Sequence, residues 1–193
     1  MSFVITIGRQ YGSGGRFIGK KLAELLGVNF YDNELITTAA TQSGLSKAVL
    51  DNYDEKKDGF FTGVVPSSFG ADMSLSQKVF LAQFEAIKAI ADRESCVIVG
   101  RCADYVLREN PNVVNIFITA PIEARVERAV KYYNLDTKKA KETILKMDKK
   151  RASYYNFYSD KKWGRAESYN LTIDSSAVSY THLRAHETRG NLV

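Results

Sequence analysis

A three-layer α/β/α fold around a five-stranded, mostly parallel sheet is the architecture this 193-residue sequence predicts. Three observations carry it. Short runs rich in Val and Ile alternate with helix-periodic segments, the pattern of βαβ units whose sheet is covered on both faces. The first of these runs, residues 3–7, passes through a glycine-rich turn directly into an apolar helix. The polar residues that end other runs, Asp32, Arg101 and Thr119, fall on the same sheet edge as that turn. Open α/β sheets bind ligands beyond the C-terminal ends of their strands.

Residues 3–7 alternate β-branched and apolar side chains and read as a buried strand. Residues 17–26 bring Phe17, Ile18, Leu22, Leu25 and Leu26 close to one helical face, and Gly27 supplies the stop. Residues 28–31 form a second short strand ending at Asp32 and Asn33. A helical pattern covers 34–50, interrupted at Ser43 and Gly44. Residues 51–73 mix charge, glycine and aromatics and have the weakest regular pattern, that of a mobile flap. Residues 74–92 are an amphipathic helix through Leu75, Val79, Phe80, Phe84, Ile87 and Ile90. The strand at 96–99 delivers Gly100 and Arg101, and the strand at 113–118 closes at Thr119, Ala120 and Pro121. Pro121 opens a helix with Glu123 in its first turn. A basic helix is expected at 138–151, an aromatic and basic loop at 152–168 and a last strand at 169–173, ending at Asp174.

In the glycine-rich turn, Gly12, Ser13, Gly14 and Gly15 allow backbone N–H groups to crowd round an anion, with the positive end of the next helix aimed at the same spot. The turn departs from the Walker A pattern G-x-x-x-x-G-K-[ST]. Five residues separate Gly8 from Gly14, Gly15 holds the lysine slot and Arg16 the Ser/Thr slot. A tight strand-to-helix turn without a ligand is the structural alternative.

A hydrophobic content of 45% with 25% charged residues suits one globular domain with a substantial core. No apolar run approaches the ~20 residues of a membrane span, and the chain enters a strand at once, without the pattern of a secretory segment. Cys96 and Cys102 are the only cysteines, which suits a reducing cytoplasm and indicates neither zinc nor a disulfide framework. The net charge of +5 attracts polyanions, and its clustering at 138–151 and 161–165 favours a local anion site over an even stripe. Residues 178–193 have neither helical nor strand periodicity and look like a translated transposase adaptor of the kind used in sequencing libraries. The natural chain is therefore expected to depart from this one near Ala177. Both histidines, His182 and His186, lie in that tail, so acid–base or metal chemistry by histidine is not expected.

Five stretches together resemble a known family. They are Gly12 to Gly15, Tyr31 with Asp32, Val97 to Asp104, Phe117 to Arg128, and Tyr169 to Asp174. They recur in that order in cytidylate kinase-like proteins, a branch of the nucleoside monophosphate kinases. The likeness spans residues 3–176, and its specific parts are Val99 to Asp104 and Lys150 to Tyr155. It implies a P-loop kinase domain over 1–177 with an acceptor-binding helical segment at about 34–92 and a helical lid at about 138–168. It further implies ATP-dependent phosphoryl transfer to a CMP-like nucleoside monophosphate or a similar small phosphate acceptor, with Mg²⁺ assisting. Such transfer needs positioning and positive charge and no covalent nucleophile.

The resemblance places the donor phosphates on Gly12, Ser13, Gly14, Gly15 and Arg16, with Arg128 stacking on the donor base. Arg16, or Lys20 one turn on, is the cation that compensates for the missing lysine; an Arg16 facing solvent is the alternative. Asp32, Arg101 and Asp104 are the acceptor-binding candidates. Asp32 also has the position of a helix cap, as Asp104 has for 105–107, and Arg128 also suits a surface ion pair. Cys102 stands where the family carries aspartate beside Arg101. Lys149, Lys150 and Arg151, then Lys161, Lys162 and Arg165, fall in the lid, where Lys150 and Arg151 with Arg16 are the catalytic cations. Ser13, Asp32 or water are the available magnesium ligands. Two other classes stay open: a nucleotide-binding regulator without turnover, and an RNA-binding protein using Tyr154, Tyr155, Phe157, Tyr158 and Trp163 among basic residues. Small-molecule nucleotides are the expected partners, with no membrane; the oligomeric state is open.

Overall fold

The computed structural model of the protein describes residues 2–42 and 75–177. Its strands are β1 (Val4–Arg9), β2 (Asn29–Tyr31), β3 (Cys96–Val99), β4 (Val113–Thr119) and β5 (Leu171–Asp174). They form one sheet in the order β2-β3-β1-β4-β5, every pairing parallel. At its centre Val4 lies opposite Cys96 on one side and Val113 on the other. A parallel sheet of this kind is buried on both faces, and all four residues of β3 are fully buried.

The helices are α1 (Gly15–Leu26), α2 (Asn33–Gln42), α3 (Leu75–Arg93), α4 (Ala103–Val106), α5 (Ile122–Tyr133) and α6 (Ala140–Tyr158), with a short 3₁₀ turn at Ala166–Ser168. The period of two along the strands divides the core. Val4, Cys96 and Ile98 meet Ile36, Ile87, Ile90, Ala103 and Val106 of α2, α3 and α4 on one face. Ile7, Val97, Val99 and Ile118 meet Ala23, Ile18 and Leu22 of α1 on the other. Gly19 lets α1 lie close to the sheet: a Cβ there would stand 2.9 Å from Cγ2 of Val99 and 3.0 Å from Cδ1 of Ile7. The chain thus has the three-layer α/β/α fold of P-loop kinases.

The element most changed from expectation is α6. Residues 152–158 read as loop in the sequence, yet the helix runs on through Tyr158. Tertiary packing overrides weak propensity here. Tyr158 stacks on Phe80 of α3 with centroids 3.8 Å apart, and Tyr154 meets the same ring edge-on. Trp163 meets Phe117 of β4 edge-on, centroids 5.3 Å apart. β1 reaches Arg9, two residues beyond its apolar run, and α1 starts at Gly15, two residues before its apolar face. The later part of the helical pattern at 34–50, the flap at 51–73 and the tail at 178–193 lie outside the described residues. Among the described residues, no helix is long and apolar enough to cross a membrane.

Candidate functional site

The turn between β1 and α1 passes twice through the left-handed region, with φ of 78° at Gly12 and 80° at Gly14. Gly12 has a second constraint, since a Cβ there would stand 2.7 Å from the carbonyl oxygen of Arg125. Long-range contacts hold the turn. Thr119 Oγ1 and the Ala120 amide donate to Gln10 Oε1 at 2.5 and 3.2 Å. The Tyr11 amide donates to Asp148 Oδ1 at 2.7 Å, while Arg125 Nη1 donates to the Tyr11 carbonyl at 3.4 Å and also pairs with Asp148. Ser13 is fully buried and its hydroxyl donates to the Gln10 carbonyl at 2.8 Å. The Ser13 carbonyl accepts from Ser175 Oγ at 2.7 Å and from Arg128 Nη1 at 3.3 Å.

Four amides are not used this way. Among the described residues, no intrachain hydrogen bond takes up the backbone N–H of Gly12, Gly14, Gly15 or Arg16, and α1 has no side-chain cap. Helix-start amides left open in a rigid turn are donors waiting for an anion.

Arginines surround that point. Arg16 faces outward and grips Asp32 twice, Nε at 2.8 Å and Nη2 at 2.6 Å from Oδ2. The other carboxylate oxygen of Asp32 accepts from the amides of Glu34 and Leu35 at 3.1 and 3.3 Å, so Asp32 caps α2 and holds Arg16 together. Burial works to raise the Asp32 carboxyl, but Arg16 and the two amides outweigh it and keep it below its ordinary range. Arg101 follows Gly100 on a run of three left-handed residues, with φ of 85°, 55° and 55° at Gly100, Arg101 and Cys102. Its Nε donates to Asn33 Oδ1, and its guanidinium lies 5.6 Å from the ring centre of Tyr154. Arg151 reaches over from α6: Nη1 donates to the Arg9 carbonyl at 3.0 Å, and the guanidinium lies 5.4 Å from the ring centre of Tyr11.

The sequence reading did not single out Arg9, the last residue of β1. Burial first, then the charges of Arg151, Arg101 and Arg16, push its guanidinium down to about 9, with Asp32 a partial offset. It stays charged at neutral pH, and the part of the shift that burial does not cause comes from neighbouring arginines that Asp32 only partly offsets. Asp148 and Arg125, which clamp Tyr11, were also missed as a pair, because no local signal links residues on separate helices. The visible cue for Arg9 was a charged residue ending a buried strand at the ligand edge.

Other candidates sit elsewhere. Arg128 directs Nη1 to the carbonyl of Ser13 and to Ser175 Oγ, and Nη2 to the Ser175 carbonyl at 2.9 Å, bracing the turn from behind. Lys150 is half-buried beside Arg151, and Lys149 and Lys20 are exposed. Arg165 pairs with Glu167 at 3.6 Å. Asp104 is buried on α4, where Tyr155 Oη donates to its Oδ2 at 2.6 Å, tying α6 to the Gly100 turn. Burial raises the Asp104 carboxyl, against the lowering effect of Tyr155 and Lys161. Burial also pushes both thiols, Cys96 and Cys102, up to about 12, so neither is a ready nucleophile.

Tyr155→Phe is expected to cost about 1–3 kcal/mol, the penalty for a buried group left without its donor. The sign with pH follows from the raised Asp104 carboxyl: the folded state holds the proton more tightly than the unfolded one, so stability falls as pH climbs above 3.8. Loss of the tyrosine donor raises that carboxyl further, and urea unfolding should show a larger deficit at pH 7 than at pH 4. An equal deficit at both would contradict this reading of the pair.

No group of three or more His, Cys, Asp or Glu side chains that could hold a metal ion occurs among the described residues. Of the expected ligands, Ser13 Oγ is committed to Gln10 and Asp32 to Arg16. Among the described residues, the side chains do not assemble a magnesium site.

The sequence pattern of the cytidylate kinase-like family matches residues 4–177. Cytidylate kinase of Methanopyrus kandleri is 24% identical over 185 residues, covering 93% of this chain and 88% of that protein. An uncharacterized protein from Eubacterium ventriosum has a crystal structure similar to this one, with a TM-score of 0.69, 30% identity, and coverage of 98% of this chain and 100% of that one. Shikimate kinase from Bacteroides thetaiotaomicron shares the fold at a TM-score of 0.55 and 15% identity, covering 97% and 95% of the two chains.

Proposed function

The chain belongs to the cytidylate kinase-like family, and we propose that it transfers the terminal phosphoryl group of ATP to a nucleoside monophosphate such as CMP, or to a similar small phosphate acceptor. One observation carries the reading: the open amides at the start of α1 and the arginines of β1, α1, α6 and the Gly100 turn converge on one sheet edge. In the proposed step an acceptor phosphate oxygen attacks the γ-phosphorus, the bond to the β–γ bridging oxygen breaks, and ADP leaves. The loop amides hold the donor phosphates, Arg101 holds the acceptor phosphate, and Arg151 from the lid helix stabilises the charge on the group in transit. Asp32 keeps Arg16 in place. Any Mg²⁺ would be held mainly by the phosphates of the nucleotide and not by the described side chains, and would supply positive charge there. A nucleotide-binding regulator is the second reading, favoured by the glycine in the lysine slot.

A thermal-shift screen with ATP and the common monophosphates, singly and in pairs, tests the reading. ATP with one monophosphate should stabilise the protein beyond either ligand alone. Arg101→Ala should weaken the acceptor by ~1.5–3 kcal/mol, the range for a hydrogen bond to a charged group, while ATP affinity changes little. Equal losses for both ligands would mean structural damage and remove Arg101 from this role.

A further inference from the structure

With Gly14 as the second glycine of a G-x-x-x-x-G-K loop, the first-glycine slot falls on Arg9 and the lysine slot on Gly15. These two departures are one exchange in space. A Cβ on Gly15 would stand 2.6 Å from Cβ of Arg9 and 3.1 Å from its Cγ. The arginine stem occupies the volume that a lysine stem at position 15 would need. The head of Arg9 runs on to the exit of β3, where a Cβ on Gly100 would stand 2.1 Å from Nη1 and 3.0 Å from Cζ. The Arg9 side chain thus passes over both glycines, of which Gly100 is also set by its φ of 85°. The Arg9 guanidinium lies where the turn at α1 and the turn bearing Arg101 come together. Among the described residues no carboxylate pairs with it, whereas Arg16 spends two nitrogens on Asp32. The Arg151 bond to the Arg9 carbonyl fixes the backbone from which the side chain departs.

We propose that Arg9 is the phosphate-binding cation of this site, taking the place of the P-loop lysine, with its guanidinium on the β- and γ-phosphates of the bound nucleotide. The proposal rests on the nucleotide-binding reading above and replaces Arg16 as the compensating charge. A planar fork of donors suits two phosphate oxygens at once, which a lysine cannot match. Like charges crowded against Arg9 are relieved when a polyanion binds among them.

The test is equilibrium binding of ATP and AMP, with Mg²⁺, to the full chain and its variants, alongside ligand-free melting. Arg9→Ala should weaken ATP roughly tenfold to a hundredfold, and AMP by less than about threefold, since AMP lacks the β- and γ-phosphates. Arg16→Ala should weaken ATP less than Arg9→Ala does, because the Arg16 guanidinium is already held by Asp32. The double variant Arg9→Gly with Gly15→Lys, which removes both Cβ and Cγ of residue 9 from beside position 15 and restores the lysine slot, should regain most of the lost affinity. ATP binding unchanged in Arg9→Ala, or ATP and AMP weakened equally, overturns the role of Arg9 and leaves nucleotide binding standing. A wild type that binds neither nucleotide fails at the earlier step and takes this proposal with it. Should Arg9→Ala show no cooperative melting, Arg9→Gln, which keeps the stem against Gly15, is measured in its place against the same outcomes.

Discussion

Replacing Gly14 with valine is expected to erase the stabilisation that ATP gives the protein. Gly14 sits at φ 80° and ψ 2°, immediately before α1. A left-handed conformation costs an L-residue roughly 1–2 kcal/mol, and a β-branched one is a true outlier there. The strained turn relaxes, and the amides of Gly14, Gly15 and Arg16 cease to point at a common centre. ATP at ~100 times its dissociation constant should add about 2.7 kcal/mol to wild-type stability. In Gly14→Val that increment should vanish in a thermal-shift measurement. A shift as large as in the wild type would show that the loop does not hold the phosphates.

Arg151→Ala should lower kcat roughly tenfold to a thousandfold, the range for one preorganised electrostatic contact, with a much smaller change in ATP dissociation constant. Its placement on a continuous helix alters the reason. As the last residue of a helix before a loop it would have to swing in with the second substrate; here α6 runs on to Tyr158 and already holds it over Tyr11 and Arg9. Asp148, one turn earlier on α6, grips the Tyr11 amide, so helix and loop are coupled before any ligand arrives. A contact that is strongest in the transition state appears in kcat and not in ground-state binding. Single-turnover rates and nucleotide titrations on the same preparation separate the two. Unchanged turnover in an active background would remove Arg151 from the chemistry.

The three central strands were legible because each is a short Val/Ile-rich run, and burial demands that composition in a parallel sheet. Residues 96–99 read as β3 and fold as β3. The second half of α6 was illegible for the converse reason. Ser153, Tyr154, Tyr155, Asn156 and Phe157 have modest helix propensity, and what holds them is distant: Phe80 beneath Tyr158 and Asp104 at the Tyr155 hydroxyl. The glycine turn and the edge it shares with Asp32 and Arg101 could be read from spacing alone. The partners of Arg128, the carbonyls of Ser13 and Ser175, could not, since the three residues meet only through the closed sheet. Arg9 was hidden by its position, because a charged residue ending a buried strand reads as the point where the chain meets solvent. Only the fold shows its side chain lying across two glycines.

The most direct measurement is steady-state ADP release from ATP with Mg²⁺, with and without CMP and the other common monophosphates. One monophosphate should raise ADP release well above the ATP-only rate, with the matching diphosphate formed in equal amount and Arg151→Ala reducing both together. ATP binding with no release of ADP under any monophosphate would contradict the kinase reading and leave the protein as a nucleotide-binding regulator.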